Sequence, residues 1–297
     1  MKLEWILIKR NTRLFFKDLG MLFSSLCTPI ILLVLYVTFL ANVYESSFTA
    51  QLGDIVLDDK LVGGLVGGQL FSSLLAVSCV TVAFCSNLLM VQDKVTGARR
   101  DLMIAPVRRS SLAVAYYAST LIVTLLVALV AMTACFIYLA IVGWWLSFGD
   151  VLLLFLDVLL LVMFGTALSS IVNYFLTTQG QISAVGTIVS SGYGFICGAY
   201  MPISGFSEWL RHVIAFLPGT YGTSLLRNHA LGGVFRQMEA EGIPEPLIDA
   251  IRDSTDCNIY FFEATVAPWV MYLILALSCL VLFSVFVLIH RLDRKKL

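Results

Sequence analysis

Charge is scarce in this chain. Asp, Glu, Lys and Arg make up 13% of its 297 residues, about half the share found in soluble domains, which argues against a water-soluble globule. Histidine is scarcer still: His212, His229 and His290 stand scattered and read as structural or interfacial. The seven cysteines form no CxxC or Cys/His spacing, which speaks against a zinc site or a disulfide framework. All but Cys257 lie in apolar runs, where a thiol behaves as a small hydrophobe. No GxxxxGKS/T stretch is present, so nothing resembles a loop for nucleotide phosphates. GxSxG, HExxH and paired-histidine arrangements are missing as well, so the chain is not read as an enzyme. There is no clear pairing of halves, the mark of many secondary transporters, and no nucleic-acid signal.

What the chain has is apolar length. Hydrophobic residues are 59% of the sequence and the mean hydropathy is +0.92. A bilayer core about 30 Å thick takes roughly 20 apolar residues per helix. Six runs qualify, at about 19–43, 63–90, 111–143, 151–172, 180–200 and 267–290. The expected fold is all-α: a polytopic membrane protein with six transmembrane helices, an N-terminal interfacial helix and short re-entrant outer helices. The first run and its polar leader are both long for a signal sequence, so it is expected to remain as a span. Six spans place both termini on one side. That side gathers fourteen of the nineteen cations against five acids; the other carries five cations and thirteen acids, most of them in 208–263. The excess of cations predicts that both termini and the 91–110 connector are cytoplasmic, in a multi-pass protein of the cell membrane.

Residues 1–18 are expected to form the interfacial helix. At 100° per residue Lys2, Lys9, Arg10, Arg13 and Lys17 share an arc of about 100°, with Trp5, Leu7, Leu14, Phe15 and Phe16 outside it. That suits cations toward lipid phosphate and aromatics toward the tails; a basic leader that only sets topology is the alternative. The connector contains DKVTGARRDLMIAPVRRS. A short helix is expected over Val95–Met103, with Gly97 its sole breaker, Pro106 its end, and Ser110 or Ser111 capping the next helix. Val95, Gly97, Arg99, Arg100, Leu102, Met103, Ile104 and Pro106 are the candidate docking residues. The apolar Leu-Met-Ile among charges suits a protein socket, whereas the cations alone suit anionic lipid.

Two polar stripes lie in the apolar runs. Gln69, Ser72, Ser73 and Ala76 share one helical face, and so do Ser183, Thr187, Ser190, Ser191 and Gly194. Such stripes either line a water-accessible route or join helices. Gly63, Gly64, Gly67 and Gly68 have the small-xxx-small spacing of close helix contacts, or mark a flexible span end. Asp157 is the one clear intramembrane carboxylate. Either it faces a polar cavity or a partner helix, or it is hydrated near the surface or protonated. Segment 201–266 holds an apolar stretch, Phe206–Leu217, too short to span. Pro202 and Pro218 bracket it and Gly219, Gly222, Gly232 and Gly233 follow, so two short re-entrant helices and then a small exposed acidic cap are expected.

The leader, the connector VTGARRDLMIAPVRRSSLAVAY and the stretch GFICGAYMPISGFSEWLRHVIAFLPGTYGTSLLR together resemble the membrane subunits of ABC transporters of the ABC-2, or type V exporter, class. The resemblance covers nearly the whole chain. It implies a permease (residues 19–297, behind the interfacial helix) that pairs with a second permease subunit, the same or related. Each docks on a cytoplasmic ABC ATPase subunit. The connector would be the coupling helix, and ATP and Mg would sit on the ATPase, with no cofactor on this chain. The substrate route would run between the two permeases, which raises the weight of Gln69, Ser72, Ser73, Asp157, Ser183, Thr187 and Ser190. Lys94, Val95 and Thr96 before Gly97 depart from the Glu-Ala-Ala of binding-protein-dependent importers, so the implied direction is export. Drugs, peptides, lipids and glycans all fit the family. The runner-up reading is a secondary transporter or channel working without an ATPase.

Overall fold

A single buried helix organises the rest of the molecule. The structure is a computed structural model and describes residues 2–52, 58–104, 109–262 and 264–292. In chain order the helices are α1 (Lys2–Lys17), α2 (Leu19–Leu35), α3 (Ala41–Leu52), α4 (Asp59–Val95), α5 (Ala98–Ile104), α6 (Arg109–Val142), α7 (Phe148–Phe175), α8 (Gln179–Ile196), α9 (Glu208–Ala215), α10 (Pro218–Ala240), α11 (Glu245–Ser254) and α12 (Pro268–Leu292). A π-helical turn, Tyr36–Leu40, joins α2 to α3. A two-stranded hairpin, β1 (Tyr260–Phe261) and β2 (Ala264–Thr265), precedes α12.

The central helix is α4. Its 37 residues make it about 55 Å long, well beyond the hydrocarbon thickness of a bilayer. α2, α6, α7, α8 and α10 pack around it. In its most apolar stretch 94% of residues are buried, against 17% in α12 and 24% in the α2–α3 run. The outer helices turn long apolar side chains outward, among them Phe23, Ile30 and Ile31 on α2 and Leu273, Leu277 and Leu280 on α12. An apolar exterior on this scale suits lipid, not water. Five helical runs have the length and hydropathy of a membrane span: Leu19–Thr49, Asp59–Val95, Ser110–Val142, Phe148–Phe175 and Pro268–His290. The expected span at 180–200 is helical too, as α8, but at 18 residues it is shorter, and its glycines and hydroxyls make it more polar.

The four glycines of α4 pack against two neighbours at once. A Cβ on Gly63 or Gly67 would meet Val142 at 2.6 Å or Leu139 at 2.8 Å, both on α6. One on Gly64 or Gly68 would meet Trp145 at 2.7 Å or Leu231 of α10 at 2.5 Å. The spacing therefore serves close approach. Buried hydroxyls on α4 are satisfied locally, with Ser78 donating to Leu74 O and Thr81 to Val77 O. Asn87 Nδ2 reaches Ser169 and Ser170 of α7 at 3.2 and 2.9 Å, fixing the α4–α7 pair. Capping boxes start α7 (Ser147 with Asp150) and α8 (Thr178 with Gln181).

Three expectations need correction. The two short helices expected ahead of the acidic cap are one short and one long: α9 has 8 residues, but α10 has 23 and its first half is buried. The glycines after Pro218, from which short helices were expected, include two that sit at crossings. A Cβ on Gly222 would strike Leu161 at 2.5 Å, and one on Gly233 would strike the Trp145 carbonyl oxygen at 1.9 Å. The acidic cap is not simply exposed, because Ile248, Ile251, Asp256 and Cys257 are buried in it. Ser110 and Ser111 do not stand ahead of the third long helix, since α6 already begins at Arg109.

Candidate functional site

The bundle has a basic end and an acidic end, each tied by an ion pair, part-buried at the first and buried at the second. At the basic end α1 lies along α6 and buries Leu7, Asn11 and Phe15. Arg10 donates to Asp93 at the end of α4, Nη1 to Oδ2 at 2.8 Å and Nη2 to Oδ1 at 3.2 Å. Tyr116 of α6 donates to the same Oδ2 at 2.6 Å. Arg10 thus leaves the cationic face expected for the leader and serves an internal contact. Lys9, Arg13 and Lys17 remain exposed beside Trp5 and Phe16. Glu4's carboxyl is held below its ordinary value, first by a hydrogen bond from Ser111. Lys94 donates to the carbonyls of Asn173, Tyr174 and Leu176, closing the end of α7.

Gly97 adopts φ +84°, a left-handed conformation that ends α4 and lets α5 set off separately. α5 is not uniformly outward. Leu102 and Met103 turn in, against Leu7, Met90, Leu112 and Tyr116. Val95, Arg100 and Ile104 turn out, Ile104 at 82% exposure. Gly97 and Arg99 are half-buried, and Pro106 lies outside the described residues.

The two polar stripes are not brought together. Gln69, Ser72 and Ser73 are buried inside the bundle, with Ser72 donating to Gln69 O. Ser183 and Thr187 stand exposed on α8 and Ser190 is half-buried. Nothing lies within 4 Å of where a Cβ would sit on Gly180, Gly186 or Gly192, so the face of α8 away from α4 is open.

Asp157 is fully buried and has two partners. His229 Nδ1 of α10 lies 2.6 Å from its Oδ2, and the Tyr272 hydroxyl of α12 donates to Oδ1 at 2.5 Å. The carboxylate therefore joins α7, α10 and α12. Nearer the acidic end, Arg227 is buried on α10. Its Nη1 donates to Asp256 Oδ2 at 2.8 Å, and its Nη2 to Gly198 O at 2.5 Å and Ser73 Oγ at 3.5 Å. Asp256 also accepts from Ile203 N. Burial pushes the Asp256 carboxyl up from its ordinary value, with Arg227 opposing. Burial likewise pushes the Cys257 thiol up to about 11.

Sequence reasoning gave Asp93, Tyr272 and Asp256 no role and read His229 only as structural or interfacial. A signal existed for two of the pairs. Arg227 sits in the apolar, glycine-rich run GTYGTSLLRNHALGG, where a cation needs an acid. Asp93 is one of five acids among fourteen cations.

An all-helical bundle with an apolar exterior and polar residues buried inside is a multi-pass membrane protein. This chain belongs to the ABC-2 type transporter family, whose profile matches residues 2–230. It is thus the membrane-spanning, permease part of an ABC transporter and not a nucleotide-binding one. The match runs from α1 into α10 and covers the basic-end ion pair, α5 and both stripes. No curated protein matches the chain.

Proposed function

We propose that the chain pairs with a second permease and with separate cytoplasmic ATPase subunits, and that ATP on those subunits drives substrate outward. α5 is the docking helix. The observation that carries this reading is the mounting of α5: its outward residues Arg100 and Ile104, with Val95 at the end of α4, have no partner in this chain among the described residues, while Leu102 and Met103 root it on α1 and α6. The Arg10–Asp93–Tyr116 contact ties that footing to α4. A push on α5 then reaches the central helix directly, and ATP shifts the equilibrium by favouring the docked state of the ATPases.

The basic end faces the cytoplasm in this reading, in line with its cations. The open face of α8, with Ser183, Thr187 and Ser190, lines the route between two permeases. Asp157 and the α4 residues support that route from behind.

The test is a charge reversal that spares the footing. The full chain carrying Arg100→Glu and Ile104→Asp is purified with its ATPase. Loss of co-purification, or a fall of tenfold or more in permease-stimulated ATP hydrolysis, is expected. An intact complex with undiminished stimulation sinks the coupling assignment, and export by the permease alone sinks the ATP-driven reading.

A further inference from the structure

At the acidic end a cleft of about 330 Å³ opens between α9 and the cap, at the small end of the range for ligand cavities, ~300–1,000 Å³. On one wall Glu208, Arg211 and His212 follow the i, i+3, i+4 spacing that places them on one face of α9. The other wall presents Asp253 and Tyr260. The floor includes buried Asp256 and Thr220.

The charges on these walls are not paired with one another. Arg227, Arg236 and Arg252 each hold a carboxylate. Among the described residues Arg211 holds none, nor does Glu208 hold a cation. Asp253 is fixed in place by Asn258 Nδ2 at 2.8 Å and the Tyr260 hydroxyl at 3.0 Å, both on Oδ1, which leaves Oδ2 free. Cation and carboxylate thus face a common space without meeting. The lip is aromatic: His212 stacks on Phe262 at 4.8 Å, and Phe216 meets Phe261 and Phe262 edge-on. Trp209 on α9 is 73% exposed beside them. Aromatic side chains with one wet edge favour the head-group level of a membrane.

We propose that this cleft binds a zwitterionic phosphate–ammonium group, the chemistry of an aminophospholipid head group or its soluble glycerophospho form. The phosphate lies against Arg211, whose charge-assisted donors serve anionic oxygens, with a ring N–H of His212 beside it. The ammonium lies against Asp253 Oδ2 and Glu208. Where the ligand is a lipid, its acyl chains leave over the Trp209–Phe216–Phe262 lip. The site is independent of how α5 docks, so its test does not depend on any ATPase.

The test uses the full chain purified in detergent, with Arg211→Gln and Asp253→Asn, two exposed positions where substitution spares the core. Native mass spectrometry measures retention of phosphatidylethanolamine against phosphatidylglycerol. Calorimetry measures soluble glycerophosphoethanolamine. Phosphatidylethanolamine is expected to be retained preferentially, with a loss of tenfold or more in each variant. Binding of the soluble compound that both variants lose assigns the cleft to the head group alone. Binding of the diacyl lipid only, again lost in both, assigns it to the lipid with its chains, and either result upholds the proposal. Equal retention of the two lipids by the unsubstituted chain overturns it, as does binding that both variants keep.

Discussion

α4 and α8 carry the same written signal and meet opposite fates. Each bears serine and threonine at helical spacing beside small residues. α4 is enclosed by five helices and buries Gln69, Ser72 and Ser73 completely, while α8 leans chiefly on α4 and leaves Ser183 and Thr187 open. A hydroxyl stripe is therefore silent about whether it packs or lines a route, because Ser and Thr satisfy themselves on their own helix either way. Ser78 donates to Leu74 O in the buried helix, and Thr187 donates to Ser183 O in the open one. The number of neighbours decides the outcome, and neighbours are a tertiary property.

One side chain spans the comparison. Arg227 reaches Ser73 of α4 and the Gly198 carbonyl just beyond α8, with Asp256 neutralising it. Removing one member of a buried pair leaves the other charge stranded, at a cost of about 3–5 kcal/mol. Arg227→Met is therefore expected to destabilise the bundle most severely, as lost monodisperse protein on size-exclusion chromatography and a lower unfolding midpoint. Adding Asp256→Leu recovers part of the loss. Recovery is incomplete because Ile203 N–H then lacks its acceptor. A stable single variant breaks the view that Arg227 holds the two helices together.

The next contrast uses glycines. Gly68→Leu drives a side chain into Leu231 and the Ala230 carbonyl and is expected to cost about 1–3 kcal/mol or more as overpacking. On α8 a Cβ added at Gly186 meets nothing within 4 Å, so Gly186→Leu is expected to leave the unfolding midpoint of the folded chain nearly unchanged while association of two permeases weakens. Equal destabilisation by both refutes the difference in enclosure. Smaller again is Thr187→Leu. As an exposed change it is expected to move stability by no more than ~0.5 kcal/mol, yet to impair export in a reconstituted assembly. Unaltered export removes Thr187 from the route.

Much of the fold was legible in the sequence. The apolar runs gave the long helices, because spans must close their own backbone hydrogen bonds and need about 20 apolar residues to do so. The leader helix was legible as well, but the short helix expected over Val95–Met103 is split, because Gly97 in the left-handed conformation separates α4 from α5. α10 was not legible, because proline and four glycines point to short, interrupted helices wherever packing is unknown. Pro218 sits in the first turn of α10, where a missing N–H costs nothing, and Gly222 and Gly233 serve close crossings. The ion pairs Arg10–Asp93 and Arg227–Asp256 join residues 83 and 29 positions apart, and no local pattern encodes a contact at that range. Leu102 and Met103 were legible as an apolar cluster, but their inward turn depended on α1 lying beneath them.

The gentlest test leaves stability untouched and asks only about water. In a chain with Cys27→Ser, the exposed native thiol is gone and the remaining six are buried. Cys257, the one outside the apolar runs, has its thiol pushed up to about 11 by burial and stays unreactive at neutral pH. Thr187→Cys and Ser72→Cys then place single reporters on the open and the enclosed stripe. A water-soluble maleimide applied to membranes holding the assembled transporter is expected to modify position 187 at least tenfold faster than position 72. The size of that ratio sharpens the comparison, because a lipid-facing α8 would exclude the reagent as completely as the core does. Equal, negligible labelling at both positions would mean that the open face of α8 meets lipid or a dry partner helix, and the route would have to be sought elsewhere in the assembly.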